Sequence, residues 1–316
     1  MFFSIKNNKD TGLMAVRLAA QGVYAACVSP RTGSLPVLEY LSFYPLGTLQ
    51  WDSLLARLAK ESPAKQMRCS LLLNTTDYQS FALDSINVPE TELKDAVRFR
   101  LNEMLEYPAD SACVDVLTVP GDSHQGGHKQ SLIAIAAKSE NIARFQALFS
   151  AAKLRLAVID VQEMAQRNVS SLLELEGRGL AMLSFDQYGG LLTVSFGGEL
   201  YLSRRLDVSL SDLYLEDDQR RQASFERVSL ELQRSLDHFD RQHNYITTAK
   251  LVLAPLGTVS EPLRAFLSAN MYLPVENLDL STIMVLDQLP EMRESEQQQI
   301  YFHVIGAALR REEVIA

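Results

Sequence analysis

The stretch Leu180–Asp207 reads LAMLSFDQYGGLLTVSFGGELYLSRRLD and indicates the fold of the whole chain. Three runs of aliphatic, β-branched and aromatic residues are separated there by two glycine pairs, Gly189-Gly190 and Gly197-Gly198. Because glycine tolerates the positive φ that tight hairpin turns need, this pattern predicts an antiparallel meander of three strands. Downstream, the sequence predicts an amphipathic helix over Phe225–Tyr245 and a buried strand over Leu251–Leu253.

The same order of elements is predicted near the N-terminus. Three strands, a helix and a parallel strand are expected over Leu13–Ala19, Val23–Val28, Val37–Phe43, Trp51–Lys60 and Cys69–Leu73. The two units therefore span Leu13–Leu73 and Leu180–Leu253. A duplicated unit of this kind predicts two similar α/β domains that face each other.

A smaller α/β unit is predicted between the two repeats, at residues 81–160. Its first helix begins at Pro89, is capped by Thr91, carries an apolar stripe through Glu106 and ends before Pro108. Two strands, a second helix and a last strand follow, over Cys113–Val119, Ser131–Ala137, Glu140–Ala152 and Leu156–Val161. We therefore expect domain 1 to span residues 1–175 with this insertion, and domain 2 to span residues 176–316. A closing helix over residues 297–310 is expected to pack back on domain 1.

The composition is that of a soluble globular protein. Of the 316 residues, 47% are apolar and 22% are charged, and the formal net charge of −9 argues against nucleic-acid binding, which depends on clustered Lys and Arg. Cys27, Cys69 and Cys113 are odd in number and far apart, so they are expected to be buried thiols of a reduced cytosol. No apolar run reaches the roughly 20 residues that cross a bilayer, and the N-terminus lacks the order of a signal peptide.

Few short motifs of catalysis or metal binding are present. His124 and His128 are four residues apart, but the two glycines between them indicate a solvated loop, not a metal site. Neither a phosphate-binding P-loop nor a Gly-x-Ser-x-Gly nucleophile elbow occurs.

Two such halves with an inserted unit resemble the ribonuclease-H-like halves of the actin-like ATPase superfamily. Within the insertion, Glu92–Pro108 resembles the segment of PilM-like proteins that ends in Ile-Pro-Phe, with Leu105, Glu106 and Tyr107 at those three positions. Three more segments resemble conserved segments of PilM-like proteins, in particular those of mannose-sensitive haemagglutinin (MSHA) pilus systems. They are Ile159–Val161, Glu231–Phe239 and Phe302–Arg310.

The resemblance implies an actin-like fold in which the inserted unit is the subdomain called 1C. It also implies a cytosolic protein of a type IV pilus inner-membrane platform, peripheral to the membrane through a partner and not inserted in it. PilM-like proteins take the cytosolic N-terminal peptide of a PilN-like single-pass membrane protein into a groove between subdomains 1A and 1C. They also bind ATP between their halves. The assembly motor ATPase is a further expected partner.

The residues expected at the nucleotide site depart from the actin-like pattern. In that pattern, an Asp-x-Gly hairpin of each half holds hydrated Mg²⁺ and lets backbone N–H groups reach the phosphates. In the first half these positions are apolar apart from Arg17, and in the second Ser184 replaces the Asp and Asp186 the Gly. Ala254 and Pro255 stand in the turn expected beneath the adenosine. Asp186 would repel a phosphate charge by about 4 kcal/mol at 4 Å and an effective dielectric of 20. We therefore expect no cofactor, no metal and no catalysis.

Two further expectations concern the wall of the cleft and the partner. Val208–Gln222 is too short for the usual fourth subdomain, 2B, which should be largely missing. Arg98, Arg100, Glu103 and Tyr107 are predicted to border the partner groove, because charged residues with an aromatic at a helix end suit peptide docking. Two alternatives stay open: an ATP-binding PilM-like protein with nucleotide-gated partner binding, and the cytoplasmic domain of a type II secretion platform protein.

Overall fold

The computed structural model describes residues 12–31, 33–121 and 131–311. The N-terminal meander and the strand after its helix form the first sheet, as the apolar runs predict. These elements are β1 (Met14–Ala19), β2 (Gly22–Ser29), β3 (Val37–Pro45), α1 (Trp51–Glu61) and β4 (Arg68–Leu72). The pairs β1–β2 and β2–β3 are antiparallel, and β4 runs parallel to β1.

The inserted unit is a three-stranded antiparallel sheet with two helices. Its elements are β5 (Tyr78–Asp84), α2 (Glu90–Leu101), β6 (Ala112–Thr118), β7 (Ser131–Lys138) and α3 (Ser139–Ala151). The strand order is β5-β7-β6. The sequence did not predict β5, because only Tyr78 and Leu83 of that strand are buried and the residues between them show no regular alternation.

The strand β8 (Arg155–Asp160) corrects the predicted composition of the insertion. It was expected to close the inserted unit, but it pairs parallel with β4 and completes the first sheet, whose order is β3-β2-β1-β4-β8. A strand that follows a helix can return to either sheet, and the sequence does not state which neighbour it pairs with.

The first helix of the insertion is shorter than predicted. α2 ends at Leu101 and not at Glu106, because the N–H groups of Asn102 and Met104 donate to carbonyls three residues back, those of Phe99 and Leu101, and the chain leaves the α-helical pattern. Its N-cap is Pro89, and no side chain caps it, so the cap predicted at Thr91 is wrong.

The second half repeats the first sheet. After α4 (Gln162–Ser170), its elements are β9 (Gly179–Asp186), β10 (Gly189–Phe196), β11 (Glu199–Leu206), α5 (Leu210–Leu213), α6 (Asp218–Gln242), β12 (Thr248–Leu253), α7 (Ser260–Asn270), β13 (Val275–Asn277) and α8 (Ser295–Ala308). The order β11-β10-β9-β12-β13 matches that of the first sheet strand for strand. The predicted duplication is therefore present.

The helices α4 and α8 lie between the two five-stranded sheets and join them in one apolar cluster. α8 packs against α4 and against β1, β2 and β4 of the first sheet. A Cβ on Gly306 would lie only 2.4 Å from the carbonyl oxygen of Ala165, so glycine is required where the two helices touch. The side-chain amide of Asn168 donates to the Gly306 carbonyl over 2.9 Å. The outer faces of the sheets are covered by α1 and α3 in one half and by α6 and α7 in the other.

The three cysteines differ in their surroundings. Cys27 and Cys69 are buried in the first half, and burial raises the pKa of both thiols to about 11. Cys113 is exposed, which corrects the expectation that all three are buried. It lies on β6, an edge strand of the three-stranded inserted sheet.

Candidate functional site

A network of six polar side chains joins the two halves. Two members come from the segment after β4, two from the first turn of α4, and one each from β9 and β11. We call it the cleft network, and its members are Thr75, Tyr78, Gln162, Glu163, Asp186 and Arg205.

The guanidinium of Arg205 is the centre of the cleft network. It donates to Glu163 Oε1 over 3.1 Å, to the Tyr78 hydroxyl over 2.7 Å and to Gln162 Oε1 over 3.1 Å. The Tyr78 hydroxyl in turn donates to Glu163 Oε2 over 2.5 Å. Burial works against the charge of Arg205, but Tyr78 and the Glu163 carboxylate raise its pKa above the ordinary value. Glu163 is only 1% exposed, so these partners take the place of water around its carboxylate.

Asp186 is bound to the protein's own donors at both carboxylate oxygens. Oδ2 accepts from the Thr75 hydroxyl over 2.9 Å and from the Gln162 amide over 3.3 Å, and Oδ1 accepts from the Tyr188 N–H over 2.8 Å. Burial alone would raise the pKa of Asp186, but these hydrogen bonds hold it below its usual value. The carboxylate therefore stays ionised at the turn of the second meander.

Ser184, the other residue predicted at this position, is buried inside the second half. Its hydroxyl donates to Gln166 Oε1 over 2.6 Å and lies 3.2 Å from His303 Nε2. Because the serine proton is directed to Gln166, His303 donates to the serine and cannot act as its base. Burial lowers the pKa of His303 to about 3, so the imidazole is neutral. This serine–histidine contact is structural and not that of a nucleophile.

Arg17 occupies the corresponding hairpin of the first half. Its Nε donates to Asn74 Oδ1 over 3.0 Å, and the Asn74 amide donates to the Leu18 carbonyl over 2.7 Å and to Asp77 over 2.9 Å. Burial lowers the pKa of Arg17, and the charge of Asp186 opposes that effect. The space between the two hairpins is thus lined by side chains that bond to one another.

The turn after β12 is covered by the protein itself. Ala254 is buried and donates its N–H to the Leu183 carbonyl over 2.9 Å, and Pro255 follows it. The Tyr214 hydroxyl lies so close to this turn that a Cβ on Gly257 would meet it at 2.7 Å. Tyr214 follows the single turn of α5, and residues 207–217 are all that separates β11 from α6.

A groove is open at the edge of the first sheet. It has a volume of about 440 Å³ and lies between β8 and the C-terminal part of α3. Among the described strands β8 pairs with β4 alone, so the backbone groups of its other side are free to pair with another chain. Ala157 on the strand and Gln146 and Ser150 on the helix line the groove and are exposed. Such an edge fits an extended peptide.

The four residues predicted to border a partner groove lie elsewhere on the insertion. Arg98 pairs with Asp95 over 2.9 Å, and the Arg100 side chain points toward β5. Glu103 is exposed in the turn after α2. Tyr107 is six residues beyond the end of α2 and stacks under the ammonium of Lys138 at 5.3 Å. None of the four lines the groove between β8 and α3, and their role in partner binding stays a prediction.

The described ranges contain no cluster of three or more His, Cys, Asp or Glu side chains close enough to hold a metal ion. His124 and His128 lie outside the described residues. None of the helices in this part of the chain has the length and apolar composition needed to cross a membrane.

Two sheets of equivalent topology, two helices between them and an inserted three-stranded unit define an actin-like two-domain α/β fold. The predicted fold class is thereby confirmed. The sequence matches no family model and no curated protein.

Among solved structures, the chain is similar to one of a PilM–PilN type IV pilus biogenesis complex, with 19% identity, 95% of this chain and 98% of that chain covered, and a TM-score of 0.66. It is also similar to a Bacteroides thetaiotaomicron protein described as having an actin-like ATPase fold and unknown function. That similarity has 10% identity, covers 90% of this chain and 96% of the other, and has a TM-score of 0.50. At these identities the likeness establishes the fold.

Proposed function

We propose that this chain is a non-catalytic scaffold of a type IV pilus inner-membrane platform, similar to MshI of MSHA pilus systems. It binds the cytosolic N-terminal peptide of a PilN-like single-pass membrane protein and is peripheral to the inner membrane through that contact. The observation that carries the proposal is the groove between β8 and α3, which lies at an unpaired sheet edge between the first sheet and the insertion. The fold shared with a chain of the PilM–PilN complex supports it.

The cleft network supports a role without nucleotide. Arg205 neutralises a buried carboxylate of the same chain, and Asp186 is held as an ionised carboxylate between the hairpins. A polyphosphate entering there would meet that negative charge and would have to break hydrogen bonds that already satisfy the buried groups. The degenerate positions Ser184, Asp186, Ala254 and Pro255 thus serve the fold. In this proposal the chain connects its membrane partner with the assembly motor ATPase.

The first prediction tests peptide binding at the groove. A labelled peptide from the cytosolic N-terminus of a single-pass membrane protein encoded beside this chain should bind and raise its fluorescence anisotropy. Ala157→Arg should weaken this binding by about tenfold or more, because a long charged side chain then fills a groove that must exclude water around the strand. Ala157 is exposed, so the substitution leaves the core intact.

The matched control for this prediction is Ala269→Arg, an exposed alanine of α7 on the second half. It should bind the peptide as the wild type does. Equal binding by all three proteins would place the peptide elsewhere, for example at Arg98, Arg100, Glu103 and Tyr107. If no such peptide binds the wild type, the scaffold proposal loses its central contact.

The second prediction separates this proposal from an ATP-binding PilM-like protein. Mg·ATP at about 5 mM should leave the melting temperature unchanged, whereas a ligand present at about 100 times its Kd would stabilise the fold by about 2.7 kcal/mol. Calorimetric titration should likewise give no heat of binding. Micromolar, magnesium-dependent binding would instead support nucleotide gating of the partner contact. The second alternative, the cytoplasmic domain of a type II secretion platform protein, also predicts no nucleotide binding but requires a different membrane partner.

A further inference from the structure

The groove between β8 and α3 is basic at one end. Arg155, the first residue of β8, lines the groove and is exposed, and none of the described residues that line it is acidic. Lys153, two residues earlier in the turn between α3 and β8, is exposed as well. No Asp or Glu occurs in residues 141–159, although the chain contains 39 of them. The groove therefore has a local positive charge in a chain whose formal net charge is −9.

The two cations at this end of the groove are not neutralised by the chain itself. In the part of the chain that the structure describes, neither Arg155 nor Lys153 forms an ion pair or donates a side-chain hydrogen bond. The other end of β8 is different, because Arg310 pairs there with the buried Asp160 over 3.1 Å. The groove thus runs from an internally neutralised ion pair to two cations that are available to another molecule.

The backbone at Lys153 is one that favours glycine. Its φ is 57°, and it is the one non-glycine residue of the described ranges with a positive φ. It ends α3, where its N–H donates to the Ser150 carbonyl over 3.0 Å. Glycine adopts this conformation without steric cost, so the fold does not require a lysine here. The charge at the end of the helix offsets part of that cost, and it also stands two residues from Arg155.

Beyond Arg155 the strand side of the groove is apolar. Leu156, Val158 and Ile159 are half-buried there, and Ala157 is exposed. A peptide that adds a strand at the free edge of β8 would form main-chain hydrogen bonds, and its alternate side chains would point to the same face. The groove therefore fits an extended peptide with apolar side chains at alternate positions and a negative charge at one end.

We propose that the groove selects a peptide that carries Asp or Glu where it passes Arg155 and Lys153. The inference rests on the proposed function, because it names the chemistry of the peptide which that function requires. Opposite charges across an interface favour the right partner, and a peptide with a basic residue at this position is rejected by like charge. A surface of anionic lipid would also attract the two cations, but it has no use for a free strand edge.

Fluorescence anisotropy with three versions of one labelled peptide tests the inference. The parent is the N-terminal peptide of the single-pass membrane protein encoded beside this chain, and in the other two versions its acidic residue is replaced by the amide or by lysine. The wild type should bind the parent about fivefold more tightly than the amide version, and the lysine version more weakly still. Arg155→Glu should reverse this order.

The variant Lys153→Gly separates the charge of this residue from its place in the turn. It should weaken binding of the parent peptide by about twofold, because one of the two cations is lost. It should melt at or above the wild-type temperature, since glycine adopts the positive φ without strain. Both substituted side chains are exposed, so both variants should fold, which circular dichroism would verify.

The matched control is Arg220→Glu, which reverses the charge of an exposed arginine on α6 and should bind all three peptides as the wild type does. Equal affinity of the wild type for the three versions, or an unchanged order in Arg155→Glu, would overturn the inference and leave the proposed function standing. So would tight binding of a parent peptide that contains no acidic residue. If no version binds, the proposed function fails and the inference fails with it. Binding to vesicles of anionic phospholipid that Arg155→Glu abolishes, without any preference among the peptides, would assign the two cations to a lipid surface instead.

Discussion

Replacing Arg205 by alanine should lower the free energy of unfolding by about 3 kcal/mol, at the low end of the range for a broken buried ion pair. The substitution leaves the Glu163 carboxylate, 1% exposed, without its positive partner. It also removes a donor from the Tyr78 hydroxyl and from Gln162 Oε1. The expected loss is not larger, because 31% of the Arg205 side chain is exposed and water can enter the space.

Equilibrium urea unfolding at neutral pH measures this loss, and a double-mutant cycle assigns it. Glu163→Gln removes the buried charge and keeps a side chain of the same shape. In the Glu163→Gln/Arg205→Ala protein, the loss caused by Arg205→Ala should therefore shrink by about 2 kcal/mol. A loss below about 1 kcal/mol for Arg205→Ala, or equal losses with and without Glu163→Gln, would mean that the pair does not hold the two halves together.

Lowering the pH from 7 to 4 should destabilise the folded protein by about 3 kcal/mol through His303 alone. Burial, and after it the charge of Arg17, lower the pKa of this imidazole to about 3 in the folded state, and the charge of Asp186 opposes them. An unfolded histidine has a pKa of about 6.5. Between these two values only the unfolded chain binds the proton, so stability is complete above about pH 6.5 and is lost as the pH falls toward 3.

The variant His303→Gln isolates this contribution from those of the carboxyl groups. Glutamine can place a side-chain nitrogen near the position of Nε2 and keep the contact with Ser184, but it does not titrate. Urea unfolding at several pH values between 6.5 and 4 should show that the variant loses less stability by about 1.4 kcal/mol per pH unit. Parallel curves for the two proteins would show that His303 is not buried in its neutral form.

Local sequence patterns predict the two repeated units, because the strands, turns and helices of each unit produce patterns that are visible within a few consecutive residues. Alternating apolar runs and glycine pairs mark the meander of β9, β10 and β11, and the 3.6-residue stripe marks α6. The same signals fail for β5, whose seven residues bury only two side chains, and for the end of α2, where the apolar stripe continues but the backbone turns. Periodicity reports which side chains face a core and not where the backbone hydrogen bonds end.

Only some of the polar residues in the cleft could likewise be predicted from the sequence. Ser184 and Asp186 could be predicted because the resemblance to actin-like proteins places an Asp-x-Gly hairpin in the second meander. The sequence gives no such signal for Gln162, Glu163 and His303, because their surroundings are those of ordinary helices. One signal was available for α4: its buried face carries Gln162, Glu163, Gln166 and Asn168, which is unusual for a helix that is hidden between two sheets. Buried polar residues of that density indicate a network, but not its partners.

The sequence by itself determined the duplicated α/β architecture, since each repeat carries its own strand, turn and helix signals within about 70 residues. Only the tertiary structure decided that β8 joins the first sheet and leaves a free edge beside α3. Only it brought Arg205 of β11 to Glu163 of α4 and Tyr78 of β5. The physical reason is that strand partners and buried ion pairs are contacts between residues distant in sequence. Their free energy depends on the desolvation and geometry that the assembled halves create.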